Sequence, residues 1–251
     1  MKRRNFVVAT SGLLAATSLQ SSEITHMNSS EGSNEFYELR QYELKFGGNQ
    51  GAFMPYMKEV LIPALMGIGA TNAAVFTEEG AAEPRKMWLM TAFPNLTTYE
   101  KSLSLLTDSA FLEQSKTYIE AGQIFNRYTS FLLRAIDGMP NMIAPSYPNP
   151  LFELRIYEGK NEDAVRRKIA MFDDEEIELF LKVGLNPVMF GNMIIGPHMP
   201  ALVYMLSFED MDARQKAWGE FLKHPDWNEM KAKPKYADTV SNIRKIFLRL
   251  A

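Results

Sequence analysis

Two short segments of the chain carry a carboxylate, a guanidinium and a phenol at alternate positions. Glu38, Arg40 and Tyr42 stand in Phe36-Tyr37-Glu38-Leu39-Arg40-Gln41-Tyr42-Glu43, and Glu153, Arg155 and Tyr157 in Leu151-Phe152-Glu153-Leu154-Arg155-Ile156-Tyr157-Glu158. On a β-strand every second residue shares a face, so each trio projects together. An acid, a fork of N–H donors and a hydroxyl can hold a small ligand. The same side chains can equally form a cross-strand ladder, because a buried arginine needs a carboxylate partner in any case. The ladder is the more economical reading.

His198, in Gly196-Pro197-His198-Met199-Pro200, is the histidine that a loop could carry to a site, as a base or ligand. No acid stands near it in sequence to orient the ring, so an exposed turn residue explains it as well. His224 precedes Pro225 at a helix boundary, and His26 lies in a polar N-terminal stretch. Asp173-Asp174-Glu175-Glu176 reads as a solvated face that breaks a helix, with Asp173 and Glu176 capping the segment from Ile177. Three scattered histidines and one acidic run do not make a metal site. The chain has no cysteine, which removes thiolate catalysis, disulfides and zinc ribbons. Gly67-Ile68-Gly69 follows a helical pattern and reads as a C-terminal cap, not as a dinucleotide loop. No motif implies a cofactor, and no catalytic residue is assigned.

The elements that position these residues come in two copies. From Glu38 to Glu153 is 115 residues, and the same offset relates Arg40 to Arg155, Tyr42 to Tyr157, Gly69 to Gly184, Met90 to Met205, Phe93 to Phe208, Lys101 to Lys216 and Arg134 to Arg249. In the first copy Tyr37 to Leu44 alternates as a strand. Phe53, Met57, Val60, Leu61 and Leu65 then recur at helical spacing. Ala73 to Phe76 and Met87 to Phe93 form a hairpin pattern. A second helix follows, with Thr97 and Glu100, or Asp212 and Gln215, as capping boxes. Tyr128 to Ala135 and Arg244 to Leu250 close the copies as strands. The expected fold is α+β: two tandem ferredoxin-like βαββαβ units, residues 35–137 and 151–251, packed sheet to sheet. A Pro-rich linker, 138–150, joins them without entering either sheet. In this arrangement Leu39 and Leu154 pack under the helices, and the Glu-Arg-Tyr sides face the space between the sheets.

Residues 1–20 have signal-peptide order: Lys2-Arg3-Arg4, then a short apolar run to Leu19. The paired arginines resemble a twin-arginine export signal. Residues 21–34 read as a disordered polar tether. The expected mature protein is periplasmic or secreted, with no membrane span once the signal is cleaved. A hydrophobic fraction of 46%, a charged fraction of 23% and a net charge of −3 describe a globular chain without the basic face that nucleic acid demands.

Tyr37-Glu38-Leu39-Arg40-x-Tyr42, Gly184-Leu185-Asn186-Pro187-Val188-Met189-Phe190-Gly191, the run Met199 to Phe208, and His224-Pro225-Asp226-Trp227 together resemble the NIPSNAP family. The resemblance extends from about Glu35 to Leu250. It implies a dimeric α/β-barrel fold and no agreed activity. The functional expectation is a binding module for a small apolar or amphipathic molecule, or an oligomerisation module, using the space between the sheets and lined by Glu38, Arg40, Tyr42, Glu153, Arg155, Tyr157 and His198. One alternative is a cofactor-independent monooxygenase or isomerase, as among barrel relatives, and another is a structural partner-binding protein. Self-association into a homo-oligomer is compatible with all three.

Overall fold

A computed structural model describes residues 34–80, 83–145, 147–148 and 150–251. The segments read above as an export signal and, but for Asn34, as a tether lie outside the described residues. Chain order is strand, helix, two strands, helices, strand, twice over. The first pass is β1 (Phe36–Leu44), α1 (Phe53–Tyr56), α2 (Ile62–Gly67), β2 (Asn72–Glu78), β3 (Lys86–Phe93), α3 (Leu96–Leu105), α4 (Ser109–Glu120) and β4 (Phe125–Ala135). The second is β5 (Leu151–Glu158), α5 (Glu162–Met171), α6 (Ile177–Lys182), β6 (Asn186–Ile195), β7 (Ala201–Phe208), α7 (Met211–Lys223), α8 (Pro225–Ala232) and β8 (Asn242–Leu250).

All eight strands form one closed antiparallel barrel in the order β1-β3-β2-β8-β5-β7-β6-β4. The halves therefore do not stack as two separate sheets; they join edge to edge. Phe76 of β2 lies opposite Leu250 of β8 at one seam, and Gly191 of β6 opposite Ala135 of β4 at the other. These pairs are equivalent under the 115-residue shift. Closure satisfies the N–H and C=O groups that each half would otherwise leave along two open edges.

The barrel's interior is apolar. Tyr37, Leu39, Met90, Phe131, Phe152, Leu154, Val203 and Met205 pack there in one cluster drawn from both halves, and Phe76 meets Phe152 edge to face at 5.0 Å. This inverts the orientation expected from the sequence: Leu39 and Leu154 point into the barrel, and the Glu-Arg-Tyr sides lie outside it, beneath the helices. Strand alternation was right and its hand wrong. An eight-stranded barrel is just wide enough for its own side chains, so it takes the less polar side, with Glu78 accepting from Trp88 and Gln41 at one end. The helices supply those partners to the other side.

Several local expectations shift. Asn95 and Asp210, not Thr97 and Asp212, cap α3 and α7, accepting from the amides of Thr98 and Ala213. The second helix of each copy is two helices, since Asp108 accepts from the amides of Ala110 and Phe111, and Pro225 opens α8. Gly69 and Gly184 take the left-handed conformation after α2 and α6, and the following amides reach back to Leu65 and Phe180. Asp173 to Glu176 breaks nothing: Phe172–Glu176 is a π-helical turn running without interruption between α5 and α6. A matching π-helical turn, Met57–Leu61, joins α1 to α2 at the equivalent place. The linker is tied down, with Met139 buried and the Ile143 amide donating to Val188 of β6. Among the described residues no helix is long and apolar enough to cross a membrane.

Candidate functional site

In the second half the trio of β5 is built into a buried network. Glu153 is fully buried and accepts from Arg155 Nη1 at 2.8 Å, from Arg214 Nε and Nη2 at 2.9 and 2.8 Å, and from Trp218 Nε1 at 2.9 Å. Burial alone would raise its pKa, but hydrogen bonds from Arg214 and Trp218 and the charges of both arginines hold it below the usual carboxylate range. Arg155 lies 4.3 Å from the centre of the Trp218 ring and donates through Nη2 to the Tyr157 hydroxyl at 3.1 Å. Tyr204 of β7 donates to the same hydroxyl at 2.8 Å. Burial raises the pKa of both phenols, so they stay protonated, Tyr204 donating and Tyr157 accepting.

A second buried pair faces this network. Lys168 of α5 donates to Glu176 Oε2 at 2.5 Å, and both are almost wholly buried, 4% and 2% exposed. The Lys168 ammonium also sits over the Phe172 ring at 4.4 Å and near Trp227. Burial raises the Glu176 pKa, with Lys168 pulling the other way. The π-helical turn ends on Glu176 and so delivers this carboxyl to Lys168 beneath the helix. Glu176 is therefore no part of a solvated face. Its neighbours Asp174 and Glu175 are bonded to Lys235, Lys233 and Tyr236 beside the short turn Pro234–Tyr236.

Between the two pairs lies an open cavity of about 450 Å³, lined among others by Arg155, Tyr157, Lys168, Glu176, Arg214 and Trp218. Trp227 and the buried Tyr236 also line it, with the exposed Lys231 and Lys245.

The first half has the same frame with different contents. Arg40 Nη2 lies 2.7 Å from Glu38, Ser130 donates to Glu38 at 2.8 Å, and Tyr42 is buried against Phe53, Phe125 and Tyr128. The corresponding cavity is about 200 Å³ and is lined by Arg40 with apolar and aromatic groups such as Tyr56, Leu61, Leu106, Phe125 and Tyr128. At the 115-residue offset Phe53 stands for Lys168, Leu61 for Glu176, Tyr99 for Arg214 and Leu112 for Trp227. The six strand residues chosen from the sequence thus divide into two clusters on opposite halves and do not meet. His198 joins neither. It stands at one end of the barrel, with Nδ1 3.7 Å from Glu158, beside a polar hollow of about 460 Å³ shared with Gln41, Glu78, Trp88 and Arg244.

Sequence reasoning missed Lys168, Glu176, Arg214, Trp218, Trp227 and Tyr236. The repeat held the signal: charges in the second copy at positions where the first has core residues.

A closed antiparallel barrel with helices outside it and a cavity between the two is the dimeric α/β-barrel type. Residues 152–251 match the NIPSNAP family model. No curated protein matches the chain in sequence. Among solved structures, one from Fusobacterium nucleatum provisionally named a monooxygenase is 10% identical over 87% of this chain and 93% of its own, with a TM-score of 0.59. One from Lactobacillus acidophilus, named in the same provisional way, is 13% identical over 87% and 96%, with a TM-score of 0.55. An anthrone oxidase-like protein is 8% identical over 87% and 92%, at 0.52. At these identities the likeness is one of fold.

Proposed function

We propose that this protein is an exported small-molecule-binding module of two ferredoxin-like units, whose ligand enters the sheet–helix cavity of the second. The observation that carries the reading is the exchange of Phe53, Leu61 and Tyr99 for Lys168, Glu176 and Arg214 at equivalent places. The first half packs side chains without formal charge there, so the frame does not require the charges. Burying an ion pair where apolar groups suffice is neutral or costly by about 1–4 kcal/mol. Charges kept at that cost around an open volume of about 450 Å³ mark a binding site. The order of residues 2–19, basic and then apolar, supports export.

The test transplants the first half's residues. The double variant Lys168→Phe/Glu176→Leu is expected to fold with an unchanged or higher urea midpoint. Native mass spectrometry of protein purified from the periplasm is expected to show retained small-molecule mass in the parent and none in the variant. Equal retention in both would move the ligand elsewhere.

A second reading, a cofactor-independent monooxygenase or isomerase, has one observation in its favour: the raised pKa of Glu176, which suits a carboxyl that accepts a proton from a bound acid. Turnover of a bound compound that ends with Glu176→Gln while binding persists would favour it. A purely structural role leaves the buried Lys168–Glu176 pair without a purpose.

A further inference from the structure

The inference rests on the cavity reading above and concerns what the cavity accepts. We propose that its ligand is a small aromatic monoanion, such as an aryl carboxylate, with its charge against Arg155 and Arg214 and its ring against Trp218 and Trp227.

Arg155, Lys168, Arg214, Lys231 and Lys245 line the cavity, and the carboxylates facing them are Glu176 and, behind the arginines, Glu153. Glu176 neutralises Lys168. Glu153 is shared by two guanidinium groups, which leaves one positive charge uncompensated at the buried end. An unmatched buried cation is costly, and a single anionic group is what relieves it. Lys231 and Lys245 are exposed at the outer part, where they attract an anion from solvent without having to be paired.

The hydrogen bonding of Arg155 is incomplete. Arg155 is 93% buried by its 7% exposure, its two terminal nitrogens are bonded to Glu153 and Tyr157, and its Nε has no hydrogen-bond partner. Buried guanidinium N–H groups rarely stay unsatisfied. Arg40 Nε is also unpartnered, but its cavity is less than half the size and has no second cation in its lining. The Nε itself is closed off, so what the second cavity offers an anion, and the first does not, is a second guanidinium, Arg214, beside Arg155 in its lining.

Tyr157, Trp218, Phe221, Trp227 and Tyr236 surround the volume, and Trp218 already stacks on the Arg155 guanidinium. Flat apolar walls beside one guanidinium charge fit an aromatic acid. They do not fit a phosphate dianion, which would bury more charge than the pocket balances and leave the rings without an apolar partner. A cationic ligand would meet like charge.

The experiment compares three probes of one shape on the full-length chain: 1-naphthoate, the neutral 1-naphthamide and the cationic 1-naphthylmethylamine. Binding is read by isothermal titration and by the shift in melting temperature. Naphthoate is expected to bind at least about tenfold more tightly than the amide, as a charge-assisted hydrogen bond warrants, and the amine not at all. Arg214→Tyr, the first half's residue at this position, is expected to abolish the preference for naphthoate and leave amide binding in place. If the amide or the amine binds as well as naphthoate, and that binding disappears in Lys168→Phe/Glu176→Leu, the anion class falls while the cavity reading stands. If no probe binds, the aromatic-acid class falls. If the protein purified from the periplasm also retains no mass, the cavity reading falls with it.

Discussion

Glu153 shows how one carboxylate organises a site. It takes hydrogen bonds from Arg155, Arg214 and Trp218, residues of one strand and one helix, and so fixes how the sheet and α7 sit against each other. Glu153→Gln is expected to cost about 3–5 kcal/mol in urea unfolding, because two arginines then lose the charge that their burial requires. Glu38→Gln is expected to cost less, since among the described residues its partners are one arginine, Arg40, and the hydroxyl of Ser130. Glu153 also sets a pH dependence. Its folded pKa lies below the unfolded value, so the stability it contributes is present above the ordinary carboxylate range and lost as pH falls through the lowered value. Glu176 has the opposite sign: its folded pKa is raised, so its contribution is present in acid and lost as pH rises through the raised value. Urea midpoints followed from acid to neutral pH should therefore fall less, or rise more, in Lys168→Phe/Glu176→Leu than in the parent.

Among the elements, the seams between the halves are the places where small changes tell. Gly191 of β6 lies against β4, and a methyl group added there would sit 2.7 Å from the Leu133 Cβ. Gly191→Ala is expected to lower stability by about 1–3 kcal/mol, because neither strand can retreat without opening the ladder. The π-helical turns matter for another reason. Both halves have one at the same place, which makes it a property of the frame, but only the second uses it to bring a carboxyl under the helix. Frame and site can therefore be separated by exchange of residues, as the double variant does.

For the molecule as a whole, closure makes the halves interdependent. The interior cluster draws Phe76, Trp88 and Phe131 from one half and Phe152, Met193 and Met205 from the other. Residues 34–140 expressed alone would expose that face together with the free edges of β2 and β4. They are expected to aggregate or self-dimerise, and sedimentation of a well-behaved monomer would contradict the closed barrel.

The repeat was legible in the sequence because identities such as Glu38 with Glu153 and Gly69 with Gly184 hold one offset through the chain, and alternation along β1 and β5 is a local property of strands. Order of elements, the helix stops and the resemblance to NIPSNAP proteins followed from the same local signals. Which face of each strand turns inward did not. Alternation is symmetric between the two faces, and only the closure of eight strands makes an interior that is apolar but for the Gln41, Glu78 and Trp88 end, sending Leu39 and Leu154 in and Arg40 and Arg155 out to the helices. The cavity was hidden for a related reason. Lys168, Glu176 and Arg214 read as ordinary helix surface until α5, the π-helical turn and α7 lie on the sheet, because burial is decided by what packs against a residue and not by the residue itself.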